Sequence, residues 1–119
     1  MDISKLNTYE KEQLAQNANT PVAELAALAK DDDYRVRCWV AQNPNSPIEA
    51  LAALANDDDS GVRYYVASNP NSPIETLAAI LQLELRGNWR KDTLRLVFNH
   101  RNSTDTIKAI IKTVWPGVQ

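Results

Sequence analysis

The sequence predicts an all-α solenoid, a stack of short helix pairs with about eight helices and no sheet. Three observations carry this reading: a 26-residue text written almost three times, helix-start and helix-stop residues at fixed places within it, and apolar residues at helical rather than alternating spacing. Asn17 to Gln42 and Asn43 to Ser68 agree at 15 of 26 positions without a gap, and Asn69 opens a third copy. A helix pair this short cannot cover its own apolar side, so it recurs until neighbours cover one another.

The first helix of each repeat starts at a proline. Ser46-Pro47-Ile48-Glu49 and Ser72-Pro73-Ile74-Glu75 fit capping boxes, with Ser at the N-cap, Pro at the first helical position and Glu three residues past the cap. Thr20-Pro21-Val22-Ala23-Glu24 keeps the cap but moves the acid one place along. Behind it, Ile48, Leu51, Ala52 and Ala55 fall at i, i+3, i+4 and i+7, a spacing that predicts the buried stripe. The remaining alanines keep the helix slim and raise its propensity.

Asp31-Asp32-Asp33 and Asp57-Asp58-Asp59 are expected to end that helix and to cap the next, where carboxylates meet free backbone N–H groups and the positive end of the dipole. A calcium loop fails on spacing. With Asn56, Asp58 and Ser60 at loop positions 1, 3 and 5, Gly61 falls correctly at 6, but position 12 is Ala67 rather than Glu. In the second helix Val36, Trp39, Val40 and Asn43 recur at helical spacing, as do Val62, Tyr65, Val66 and Asn69, and these predict the inward face. Trp39 and Tyr65 belong at its rim, where N–H and O–H find partners. Asn43 and Asn69 are expected to close each repeat, bonding turn backbone or taking a left-handed conformation.

The ends must differ, because a terminal repeat has one neighbour. Residues 7–16 read as the second helix of a truncated repeat, since Leu14-Ala15-Gln16-Asn17 matches Val40-Ala41-Gln42-Asn43. Beyond the third proline a longer helix is predicted to Arg86, with Leu77, Ile80, Leu81 and Leu85 on one side and Gly87 as its stop. Trp89 to Phe98 predicts another helix. Asn99-His100-Arg101-Asn102-Ser103 echoes the NPNS turn with one insertion, and Ile107, Ile110, Ile111 and Val114 mark a last amphipathic helix before Pro116-Gly117. The expected organisation is one helical-repeat domain over 1–119: an N-terminal cap (1–16), two full repeats (17–42, 43–68), a degenerate repeat (69–98) and a C-terminal cap (99–119).

Composition narrows the chemistry. With 44% apolar and 24% charged residues the chain is globular, and no apolar run approaches the roughly 20 residues that span a bilayer. A soluble, cytoplasmic protein with no membrane partner is expected. Cys38 is the only cysteine, so no Cys-rich metal site can be built; His100, expected in a loop, is the only histidine and has no Cys, Asp or Glu near it at ligand spacing, so a zinc site or a His-based triad has no visible support. Three glycines form no phosphate loop. Exposed acids at helix starts stay ionised and offer no general acid. A non-enzyme without cofactor or metal is expected.

The residues quoted from Val36 to Asp59, a V-R-x-x-V-A run, then N-P-x-x-P, then L-x-x-L-A and D-x-D, resemble the leucine-rich repeat variant family, a relative in style of HEAT-like helical solenoids. The text resumes from Val62 to Ile80, so the resemblance covers roughly 17–80. It implies a right-handed superhelix of short paired helices. A member with a cysteine-rich cluster domain ahead of its repeats offers no activity to carry over, because the ligands are missing here.

Function is therefore sought on the surface, as a protein or peptide interaction scaffold. Positions of the second helix that the predicted core leaves free are Arg37, Cys38 and Gln42 in one repeat and Arg63, Tyr64 and Ser68 in the next, a strip with arginine beside aromatic rings. Arg37 and Arg63 have an alternative role: pairing with Asp residues of a neighbouring repeat in a ladder that holds register. A second candidate surface is basic. Residues 1–83 carry 6 Lys/Arg against 12 Asp/Glu, whereas residues 84–119 carry 7 against 3, and Arg86, Arg90, Lys91, Arg95 and Arg101 fall in the latter segment. Arg86, Arg90 and Lys91 are expected to make a patch beside Trp89. An acidic partner protein suits that patch; nucleic acid, or an accessory role to an enzyme, is the alternative.

Overall fold

The structure, a computed structural model, describes residues 2–87 and 89–119; Met1 and Asn88, which fall inside the expected segments 1–16 and 69–98, lie outside the described residues. Eight α-helices follow a short 3-10 turn at Ile3–Lys5: α1 Thr8–Gln16, α2 Val22–Leu28, α3 Tyr34–Gln42, α4 Ile48–Leu54, α5 Ser60–Ser68, α6 Ile74–Arg86, α7 Lys91–Asn99 and α8 Asp105–Val114. Among the described residues there is no strand. The odd helices α1, α3, α5 and α7 stack successively in one layer; α2, α4 and α6 form the second, and α8 packs on α7. The result is an elongated body of 48 × 24 × 18 Å.

The core lies between the layers. Leu25, Leu28, Leu51, Leu54, Leu77 and Ile80 come from one side and Val36, Val40, Val62, Val66, Leu94 and Val97 from the other, all buried. Each buried aliphatic side chain contributes about 1.5–3 kcal/mol through removal from water. The stripe predicted on the proline-started helices is displaced, however. Ile48 is 56% exposed and Ala52 is also exposed, while Ala50, Leu51, Leu54 and Ala55 are buried. A helix of seven residues is only two turns long, so its apolar spacing does not fix which side faces inward. Ile48 also sits in the first turn, with no earlier turn to shelter it.

The expected serine caps are replaced by a different arrangement. Pro21, Pro47 and Pro73 are the N-cap residues, and none of the three helix starts has a side-chain cap. The hydroxyls point backwards instead: Thr20 Oγ1 donates to the Leu14 carbonyl at 2.6 Å, Ser46 Oγ to that of Val40, and Ser72 Oγ to that of Val66 at 2.7 Å. Each thus adds a second donor to a last-turn carbonyl of the preceding helix, which already accepts the backbone N–H of Asn17, Asn43 or Asn69. A capping box stands instead at the start of α1, where Asn7 Oδ1 accepts from Glu10 N–H at 2.8 Å and Glu10 Oε1 accepts from Asn7 N–H at 3.0 Å.

The aspartate triplets behave as expected, with a division of labour. Asp33 and Asp59 cap α3 and α5. Asp31 and Asp57 accept the N–H groups of Asp33 and Asp59 and hold the loop, and Asp32 and Asp58 are exposed.

Asn43 and Asn69 have extended backbones and bond across repeats. Asn43 Nδ2 donates to the carbonyls of Ala15 (2.7 Å) and Asn17 (3.0 Å), and Asn69 Nδ2 to those of Ala41 (2.8 Å) and Asn43 (3.2 Å). Their Oδ1 atoms accept from Asn45 and Asn71 N–H, and the Asn45 and Asn71 amides reach back to the carbonyls of Thr20 and Pro44. Two asparagine rails therefore run through the stack.

His100 continues the first rail. Its Nε2 lies 2.8 Å from the Asn69 carbonyl and its Nδ1 accepts from Asn102 N–H at 3.0 Å. A carbonyl only accepts, so the ring is the tautomer protonated at Nε2. The turn 100–103 consequently aligns with Asn69-Pro70-Asn71-Ser72 without an insertion, and the extra length sits upstream in the 13-residue α6.

At the C-terminus the helix predicted from Trp89 starts at Lys91 instead, because Trp89 leaves the helix path to stack on Trp115 at 6.0 Å between centroids. Ile107 and Ile111 of α8 are buried, whereas Ile110 and Val114 are each 39% exposed. The α8 stripe is thus only half covered.

Candidate functional site

The arginines at the fourth position of α3 and α5, Arg37 and Arg63, occupy the ladder. Arg37 Nε donates to Asp57 Oδ2 at 2.8 Å and Nη2 to Oδ1 at 3.2 Å, a fork–fork pair, while Nη1 donates to the carbonyls of Asp31 (2.8 Å) and Asp32 (3.0 Å). This bonding to Asp57 raises the Arg37 pKa above its ordinary value. One repeat earlier Lys11 Nζ meets Asp31 Oδ1 at 2.7 Å. One repeat later Arg63 donates Nη1 to the Asp57 carbonyl, and its Nε lies 3.6 Å from Glu84 Oε1. Glu84, on the long α6, therefore stands where the Asp run is missing. It is 4% exposed, and its Oε2 accepts from Arg90 N–H at 3.0 Å.

Of the first candidate strip, then, Arg37 and Arg63 are engaged between repeats. Cys38, expected at the surface, is buried, and burial pushes its thiol up to about 11. Gln42 and Ser68 remain exposed, and Tyr64 is half-buried with its ring edge-on to Tyr65 at 5.2 Å. Trp39 holds its rim position by donating Nε1–H to Glu12 Oε1 at 3.1 Å.

Of the grooves on the layer of odd helices, two include candidate residues. One, of about 330 Å³, lies over α1, α3 and α5 and is lined by Glu12, Tyr34, Arg35, Trp39, Gln42 and Tyr65. Its charges are already engaged: Glu12 by Trp39, and Arg35 by Asp33, whose carboxyl is held down to about 2 by the Arg35 guanidinium and backbone N–H. The other, of about 380 Å³, lies between α5 and α7, with Ser68 on one wall and Arg95 and Arg101 on the other. The second groove joins members of both candidate sets.

The patch expected from Arg86, Arg90 and Lys91 is divided. Arg90 bonds Ser60 Oγ and Asp92, and Arg86 is exposed at the last turn of α6. Lys91 turns to Trp115, with Nζ 5.5 Å from the ring centroid, beside Arg95 at 5.1 Å. Lys108 and Lys112 lie over Phe98 at 5.6 and 5.7 Å. These cation–π contacts had no signature in the sequence, because Trp115 and Phe98 reach the lysines only through the fold.

No helix of the described residues is long and apolar enough to cross a membrane. Among those residues no group of three His, Cys, Asp or Glu is placed to hold a metal ion. No match was found among curated proteins or among solved structures. Residues 34–59, which are α3, α4 and the acidic turn that follows, match the model of the family described as leucine rich repeat variant.

Proposed function

We propose that the chain is a non-catalytic interaction module that binds a segment of a partner protein along the layer of odd helices. The observation that carries this reading is the pair of grooves lined from the odd helices, bordered by side chains that neither the core nor the ladder uses: Gln42, Ser68, Arg95 and Arg101. A repeat stack naturally offers an extended surface, since neighbouring repeats align equivalent positions. A photo-crosslinking residue at Gln42 or Ser68 tests it in native extract. Capture of a discrete partner from these two positions, and not from exposed Glu49 on the other layer, supports the reading; identical products from all three sites refute it.

A second reading is nucleic-acid association through the basic third, favoured by Lys91, Arg95, Lys108 and Lys112 lying over aromatic rings. It requires salt-dependent binding of labelled DNA or RNA that is lost when Arg90 and Lys91 are replaced by Glu. Flat binding curves remove it.

A further inference from the structure

We infer that the groove between α5 and α7 takes an acidic stretch of a partner polypeptide, with an aliphatic side chain on its floor and carboxylates at Arg95 and Arg101. This rests on the protein-binding reading above and names the partner's chemistry. Ala67, Pro70 and Leu96 supply the apolar floor, Ser68 and Asn99 are neutral, and no carboxylate lines the groove. Arg95 and Arg101 are both exposed, and among the described residues neither has a carboxylate within ion-pair distance. Arg35, Arg37, Arg63 and Arg90, by contrast, each have one. Arg101 has only the Asn71 side-chain oxygen at 3.3 Å, and Arg95 only the Trp115 ring. His100 adds no free donor, because its Nε2–H is spent on Asn69 and its Nδ1 on Asn102. Two uncompensated guanidiniums beside apolar surface are complementary to acids interleaved with an aliphatic residue.

A single-stranded nucleic acid fits the same place poorly. Sequence-tolerant binding of bases needs an open aromatic face. The groove is lined by no Phe, Tyr or Trp, its one ring is the His100 imidazole tied to Asn69 and Asn102, and Trp115 is stacked on Trp89 and flanked by Lys91 and Arg95.

Fluorescence anisotropy with the full chain tests this, using a labelled, end-blocked eight-residue peptide of Glu flanking a central Leu. Saturable binding is expected, weakened at least tenfold by Arg101→Glu and by Ser68→Glu, which brings a competing carboxylate into the groove, and weakened by salt. Neither substitution touches the core, and a helical circular dichroism spectrum verifies each fold; Arg95→Gln adds a milder variant. Peptide binding unaffected by these changes, oligothymidylate of equal charge binding as tightly as the peptide, or no peptide binding at all would each overturn the inference. In the last case, crosslinking from Gln42 and Ser68 in extract still decides the broader reading separately.

Discussion

Asn69 makes two donations and one acceptance at 2% exposure, so one short side chain closes its own turn and ties two repeats. Asn69→Ala takes a donor from the Ala41 carbonyl and the acceptor from Asn71 N–H, while the Asn43 carbonyl keeps Ser46 N–H, and is expected to cost about 3 kcal/mol, read as a lower urea midpoint at unchanged slope. Asn69→Asp preserves the turn acceptor but brings a carboxylate against two carbonyls, and should cost more than the alanine; a tolerated Asp would refute the donor role. Asp33 supplies a pH signature. Its carboxyl is lowered from 3.8 to about 2 by Arg35, so its contribution is full above the unfolded value and is lost as pH falls from about 4 towards 2. Asn at 33 can still cap α3 but cannot pair with Arg35. Asp33→Asn is therefore expected to be less stable than the natural chain at pH 6, with the gap closing by pH 2 in chemical denaturation. The capping aspartates were legible in the sequence because capping is local. The carbonyl partners of Asn43, Asn69 and His100 were not, since each sits 26 to 31 residues away, whereas the turn N–H groups that the two asparagines accept from lie two residues on.

At the scale of the element, the 26-residue period made helix pairs readable, and the arginine-to-acid ladder was one of two roles open to Arg37 and Arg63. What the period could not reveal was Glu84, because α6 departs from the repeat at that point and an acid inside an apolar helix carries no local signal. The Arg63–Glu84 pair is largely buried, at 16% and 2% side-chain exposure, so removing one member strands the other. Glu84→Leu alone is expected to destabilise by about 3 kcal/mol. Arg63→Met combined with Glu84→Leu should recover more than half of that, because the stranded charge is gone. Additive losses in the thermodynamic cycle would show that the two side chains do not interact. The short α4 shows a different limit. Seven residues give the spacing of an apolar stripe but not its phase, and so Ile48 and Ala52 were placed inward when neighbours cover Ala50 and Leu54 instead.

Across the whole molecule the helices of the odd layer pack successively, α1 on α3, α3 on α5 and α5 on α7, with further partners in the same or adjoining repeats. Stability in such a stack is a sum of unit and nearest-neighbour terms, and interior units hold two interfaces where end units hold one. The first and last helices described carry different local features. The N-terminus has a 3-10 turn and the Asn7–Glu10 box, and the C-terminus has α8 and a tail whose Val118 is buried and whose Gln119 carbonyl accepts from Asn99. Native-state amide exchange should therefore be slowest in α3 and α5, between two neighbours, and faster in the Ile3–Lys5 turn and in α8, whose outer side leaves Ile110 and Val114 part-exposed. A pair of substitutions separates nearest-neighbour stacking from all-or-none cooperativity. Leu51→Ala, at a fully buried site in α4, should cost roughly 3 kcal/mol and lower protection from α3 to α6 together. Ile107→Ala in α8 should raise exchange in α7 and α8 while α1 and α3 keep theirs. Equal loss of protection along the entire chain from the α8 substitution would mean that the repeats unfold as one unit and that their independence is absent at this length.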